Sequence, residues 1–346
     1  MQDEPVRLGV VGAGFMGQVA HLRNFDRIDG CDIVALAEPR DDLAARVAKR
    51  YEIDHIYSDH EALVASADVD AFVAVQPYAT HRYILPALLE AGVPLFTEKP
   101  LALRPETGEA LVELGADHGV THMIGYHKRS DPAMVYAREC IREWNRSGAC
   151  GELRYVRITM PPGDWIANAP DPISTGESPP TNMREDPPNE FDTPTGRAYD
   201  EFVNYYIHQV NALRFLFDAP YEVVFGNERI LCAECESGAS GVIELAPFTT
   251  EETWEESIMV GFDRGHIDIE LPPPLVSQAA GTVTIQQRRD GTDELRQPAM
   301  PDRSAMYAQA EHFVDVVRGE REPPCDAREA LEDLYVARSY IRRVHG

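Results

Sequence analysis

The sequence predicts an α/β protein in two parts, a doubly wound parallel sheet followed by a region whose strands pair mainly antiparallel. Three observations predict it. Short apolar runs alternate with helical patterns through residue 125, which implies parallel crossovers. After residue 220, strand patterns follow one another without helices between them, and such strands pair antiparallel. A chain of 346 residues also suggests two domains at about 150 residues each.

In the first part, strands are expected at 6–11, 33–37, 71–75, 94–97 and 120–125, the middle three continuous apolar runs suited to a sheet buried on both faces. Helical patterns lie between them at 41–51, 80–90 and 105–117. The second part opens with a helix at 132–144 and a strand at 152–160. A stretch rich in Pro, Gly, Asp and Asn then runs over 161–197; a stretch of that length is a functional loop or a disordered one, with linker and insertion roles also open. A five-turn helix is expected at 198–217, and strands at 221–225, 229–235, 240–244, 252–261, 266–270 and 281–288. Helices at 304–318 and 327–344 close the chain and either complete the second domain or pack back on the first. The boundary is placed between 1–125 and 126–346.

Composition narrows the function. A hydrophobic content of 44% is enough to bury a core and excludes general disorder. No stretch approaches the roughly 20 uncharged apolar residues of a membrane span. The formal charge of −26 argues against nucleic acid or an anionic membrane as partner. All but three of the 32 basic residues are arginine, the lysines being Lys49, Lys99 and Lys128. An acidic, lysine-poor surface suits a salt-rich cytoplasm, where ions screen self-repulsion. A GC-rich genome would explain arginine over lysine equally well, but not the acid excess. The acidic start Met1-Gln2-Asp3-Glu4-Pro5 lacks the features of a signal peptide, so a cytoplasmic protein is expected. Six cysteines then read as buried thiols rather than a disulfide framework. Cys232 and Cys235 have CxxC spacing but no second pair at zinc-site spacing follows, and no metal is expected.

The strand at 6–11 runs into Gly12-Ala13-Gly14-Phe15-Met16-Gly17, the G-x-G-x-x-G pattern. Gly12 permits the tight turn, Gly14 lets backbone approach a pyrophosphate, and Gly17 lets the helix pack closely on the strand. The helix N-terminus offers its unpaired N–H groups to the anion. The second strand ends at Glu38, whose carboxylate would accept the ribose hydroxyls, so NAD is expected over NADP. Arg40 is a guanidinium that could instead accommodate a 2′-phosphate.

At the carboxyl ends of the next strands stand Gln76, Pro77 and His81, then Glu98 and Lys99, where ligands of such sheets bind. Lys99 can donate to a substrate oxygen or pair with Glu98 at the surface. On the 198–217 helix, Asp200, Asn204, His208 and Asn211 are spaced to share one face. Three of the four are uncharged at neutral pH, which points to a wet cleft rather than bulk water. His208 in that stripe suits a general base.

Together these segments resemble the Gfo/Idh/MocA family of NAD(P)-dependent oxidoreductases. The resemblance rests on Gly12–Gly17, Pro77…His81, Glu98-Lys99-Pro100, residues 125–132, the His208…Phe217 helix and the closing helices. It implies a Rossmann domain, then a C-terminal α/β domain with an open sheet that forms an oligomer interface, hence a homodimer or homotetramer. It implies that Lys99 is the active-site lysine and His208 the catalytic histidine. Many members carry Asp four residues before that histidine; here it is Asn204, which can hydrogen-bond a sugar hydroxyl but cannot take a proton. The expected reaction moves hydride between a secondary alcohol of a sugar, inositol or related polyol and the nicotinamide. The substrate is expected between the domains, with Lys128 either holding it or forming an ion pair, and with Trp165 on a candidate lid. A ligand sensor without catalysis and an NAD-assisted glycosidase are the alternatives.

Overall fold

A computed structural model describes residues 4–181, 183–246, 248–250, 253–289 and 291–345. The chain forms two compact units. One comprises the residues up to Tyr126 with Pro170–Asp200 and Gln309–Leu334; the other comprises His127–Ala169, Glu201–Ala308 and the residues from Tyr335.

The first unit holds a six-stranded parallel sheet of β1 (Val6–Val11), β2 (Cys31–Ala37), β3 (His55–Tyr57), β4 (Ala71–Ala74), β5 (Leu95–Glu98) and β6 (His122–Gly125). Its order, β3-β2-β1-β4-β5-β6, is that of a Rossmann sheet, with the switch point between β1 and β4. β4, β5 and β6 are buried at every residue, as continuous apolar runs require. A π-helical stretch, Gly17–Leu22, runs into α1 (Arg23–Phe25). Then come α2 (Asp41–Arg50), α3 (His60–Ser66), α4 (His81–Glu90) and α5 (Pro105–Asp117). α2 begins with Asp41 and Asp42 and ends with Lys49 and Arg50, charges that complement its dipole. Phe25, Phe96 and Phe313 meet at ring-centroid distances of 5.5–6.4 Å in the core.

The second unit is built on an eight-stranded sheet. Its strands are β7 (Leu153–Met160), β8 (Tyr221–Asn227), β9 (Ile230–Cys235), β10 (Ser240–Leu245), β11 (Glu256–Phe262), β12 (Gly265–Leu271), β13 (Thr282–Arg289) and β14 (Thr292–Arg296). They lie in the order β14-β13-β12-β11-β7-β10-β9-β8. All neighbours are antiparallel except β7 and β10. Ile158, Ile243, Ile258, Ile269 and Ile285 are buried on one side, where α6 (Pro132–Ser147) and α8 (Ile207–Phe217) pack. α7 (Thr193–Tyr205), α9 (Ala305–Val317) and α10 (Ala327–His345) contribute residues to both units. Cys232 and Cys235 lie three apart on β9 and so face opposite sides.

Three expectations need correction. The helix expected at 198–217 is two helices: α7 starts at Thr193, and Tyr206, with φ −99° and ψ −1°, interrupts the run. The interruption falls where Phe202, Tyr205 and Tyr206 crowd their rings together. It is local, because the Tyr206 N–H still donates to the Phe202 carbonyl at 2.8 Å. β3 and β14 were not expected, since β3 has three residues without burial and every residue of β14 is exposed. The strand expected at 252–261 runs Glu256–Phe262, and Glu252 lies outside the described residues. No helix among the described residues is long and apolar enough to cross a membrane.

Candidate functional site

In the first unit, the turn after β1 is shaped by close backbone packing. Gly12 has φ +96°, and a Cβ there would lie 2.9 Å from the Val75 carbonyl oxygen. A Cβ on Gly17 would lie 2.6 Å from the Gly12 carbonyl oxygen, so helix and turn meet at a distance only glycine permits. Gly14 is different: the nearest atom to its would-be Cβ is Arg40 Nη2 at 4.0 Å. Backbone is therefore open to a ligand there, and the cradle fits a pyrophosphate at the start of a helix. Phe15 is exposed and Met16 half-buried beside it.

Glu38, at the carboxyl end of β2, is buried and receives the Ala13 N–H at 2.9 Å on Oε2. Arg40 grips the same carboxylate, with Nε donating to Oε1 at 2.7 Å and Nη2 to Oε2 at 2.9 Å. The structure thus brings both sequence candidates together as one bidentate pair. At the end of β4, Gln76 donates its amide to the Val11 carbonyl, tying the two strands at the switch point. Pro77 is exposed. His81 is wholly enclosed, its Nδ1 2.8 Å from the Leu101 carbonyl. Burial lowers its pKa, so at neutral pH it is an uncharged strut.

Glu98 ends β5 with both oxygens engaged. Oε1 lies 2.7 Å from His21 Nε2, and Oε2 accepts the Lys99 N–H at 3.2 Å. Burial opposes ionisation, but the His21 hydrogen bond, the His21 and Lys99 charges and the Lys99 N–H hold this carboxyl below the usual range. Lys99 follows, half-buried.

Segment 170–200 also belongs to this unit. It delivers Asp200, whose carboxylate accepts Tyr78 Oη at 2.5 Å and Arg184 Nη2 at 2.7 Å. Burial and that acidic partner push the Tyr78 phenol well above its usual range.

In the second unit, His208 is the second residue of α8, and its ring meets that of His127 at 4.6 Å in an edge-on arrangement. The next residue, Gln209, is buried and donates to Glu256 Oε1 at 2.8 Å. Glu256 in turn pairs with the Lys128 ammonium, both side chains enclosed, and the Trp254 ring centroid lies 5.8 Å from Lys128 Nζ. Asn211 is buried, accepting Arg129 Nε at 2.5 Å. Asn204 is exposed on α7, and Trp165 is exposed with its carbonyl accepting the Leu275 N–H at 3.2 Å.

The four-residue polar stripe expected along one helix is therefore not one wet face. The break at Tyr206 divides it, Asp200 is held by Tyr78 and Arg184, and Asn211 is sealed against Arg129. The sequence reading missed His127 and Glu256. Glu256 did carry a signal: it stands in register with inward-facing Ile258 and Val260, where alternation calls for an apolar residue.

Comparison with known proteins follows the same division. Residues 6–126 match the model of GFO_IDH_MocA, the oxidoreductase family with an NAD-binding Rossmann fold. Inositol 2-dehydrogenase 4 of Saccharopolyspora erythraea is 34% identical over 169 residues, covering 47% of this chain and 49% of that protein. The chain thus spans about half the length of the curated relatives it matches. Among solved structures, the oxidoreductase domain protein of Kribbella flavida superposes with a TM-score of 0.77 at 18% identity, covering 98% of this chain and 97% of that one. The WlbA dehydrogenase of Bordetella pertussis, solved with NADH and UDP-GlcNAcA, gives a TM-score of 0.69 at 18% identity over 98% and 96%. At these identities the likeness is one of fold.

Proposed function

We propose, from the match of residues 6–126 to the Gfo/Idh/MocA oxidoreductase family model, that the chain is an NAD-dependent oxidoreductase acting on a secondary alcohol of a sugar, inositol or related polyol. The observation that carries this reading is the glycine cradle after β1. Gly17 and Gly12 pack too closely for any side chain, while the space at Gly14 stays open beside the buried Glu38 carboxylate.

In this reading Gly12, Gly14 and Gly17 hold the pyrophosphate, Phe15 and Met16 flank it, and Glu38 accepts the ribose hydroxyls. Gln76, Pro77, His81 and Glu98 frame the carboxyl ends of β4 and β5, where the bound dinucleotide supplies a hydride acceptor. His208 takes the proton of the substrate hydroxyl as hydride leaves the carbon that bears it, and Lys99 donates to that oxygen as charge develops on it. Glu98 is a positioning residue, because it fixes the Lys99 backbone and is itself fixed by His21. Asn204 and Trp165 contribute to the substrate side. Lys128, enclosed with Glu256, supports α8 through Gln209, which donates to the same carboxylate, rather than reaching substrate. The protein works as a homo-oligomer in a salt-rich cytoplasm.

Relatives support the substrate class, several being named inositol 2-dehydrogenase. A panel of inositols, sugars and sugar acids with NAD tests the reading by NADH appearance. NADH formed with at least one of them is expected; NAD binding without NADH from any would favour a sensor instead.

A further inference from the structure

The segment Pro170–Asp200 is strapped to the first unit near the cradle. Gln18, on the helix that follows the fingerprint, is 3% exposed. Its Nε2 donates to the Ala13 and Ile173 carbonyls at 2.9 and 3.1 Å, and its Oε1 accepts the Ile173 N–H at 2.8 Å. Four residues on, Glu177 reaches the start of α2. One carboxylate oxygen accepts the Asp42 N–H at 3.1 Å and the other the Leu43 N–H at 3.0 Å. Thr175 Oγ1 donates to the second oxygen at 2.9 Å. Further along, the Glu185 N–H donates to the Ala79 carbonyl at 2.8 Å.

The first N–H groups of a helix have no intrahelical acceptor and attract anions. Those of α2 follow directly on Glu38 and Arg40, the positions where a Rossmann fold distinguishes a ribose hydroxyl from a 2′-phosphate. An acid and an arginine together leave that choice undecided, since the acid suits the hydroxyls and the arginine suits the phosphate.

We propose that Glu177 is the cofactor-specificity residue that decides it: its carboxylate occupies the anion-binding N–H groups of α2 and reserves the site for NAD against NADP. This rests on the reading of the first unit as an NAD site. A 2′-phosphate at this place would meet N–H groups already accepted by a carboxylate. The arginine there, Arg40, is bound bidentate to Glu38 and is also within electrostatic reach of Glu177. Two carboxylates thus face one guanidinium, and a further anion is repelled rather than neutralised.

Calorimetric titration of the full chain with NAD, NADP, 5′-AMP and 2′,5′-ADP tests this without any turnover. Wild type is expected to bind 5′-AMP and NAD in preference to 2′,5′-ADP and NADP. Glu177→Ala frees both N–H groups and removes the charge. It is expected to tighten 2′,5′-ADP by at least about tenfold while 5′-AMP changes less than about twofold. Glu177→Gln, which keeps an acceptor oxygen and loses only the charge, is expected between the two. A wild type that prefers 5′-AMP, with both variants keeping the full preference, overturns the role of Glu177 and leaves the NAD reading standing. A wild type that binds 2′,5′-ADP as tightly as 5′-AMP overturns the NAD reading itself.

Discussion

His21 Nε2 stands 2.7 Å from Glu98 Oε1, the two side chains buried, while the other Glu98 oxygen holds the N–H of Lys99. A residue of the fingerprint helix thereby sets the carboxylate beside the proposed active-site lysine.

Removing that imidazole leaves a buried carboxylate short of a partner, which costs about 1–3 kcal/mol. His21→Ala is expected to lose that much in urea unfolding at pH 7. The depressed Glu98 carboxyl contributes stability above its unfolded pKa, and that contribution is lost as pH falls through the folded value. The variant should therefore lose less than wild type between pH 5 and pH 3. Equal acid sensitivity would mean that His21 does not hold the charge.

Asp131 gives the opposite sign. Burial pushes its carboxyl up to about 6, against the N–H groups of Ala133, Gly281 and Met134 and the Lys128 charge. The folded state thus holds a proton that the unfolded chain releases near 3.8. Its contribution to stability is present at low pH and declines as pH rises from about 4 through 6, by about 3 kcal/mol in all. The difference in unfolding free energy between wild type and Asp131→Asn, followed from pH 4 to 7, should change by roughly that amount. A flat difference would remove the assignment.

Lys128 and Glu256 are both enclosed, so breaking the pair strands a charge. Lys128→Ala is expected to cost about 3–5 kcal/mol, and Lys128→Met combined with Glu256→Leu to recover much of it. A residue whose work was to hold substrate would instead raise KM at unchanged stability, and measuring both quantities separates the two roles.

Much of the first unit was legible because its signals are local. β1, the fingerprint, Glu38 and the buried runs of β4 and β5 each declare themselves within a few residues. β3 was not legible, since three residues without burial carry no periodicity. In the second unit, α7 and α8 read as one helix because the break at Tyr206 changes no residue type. Candidate residues were legible as types, but their partners were not. Nothing local links Glu256 to Lys128, or Glu177 to the start of α2, because those contacts join residues 128 and 135 positions apart. The long proline-rich stretch looked structureless for the same reason: its order comes from Gln18, α2 and Ala79, not from its own sequence.

The proposed roles of Lys99 and His208 in proton and hydride transfer are read most directly by turnover. NADH formation should be measured with the best polyol of the panel for wild type, Lys99→Met and His208→Ala, with NAD affinity measured alongside. Each substitution is expected to cut kcat by at least about 100-fold while NAD affinity changes little. Turnover within about twofold of wild type in either variant would contradict those roles.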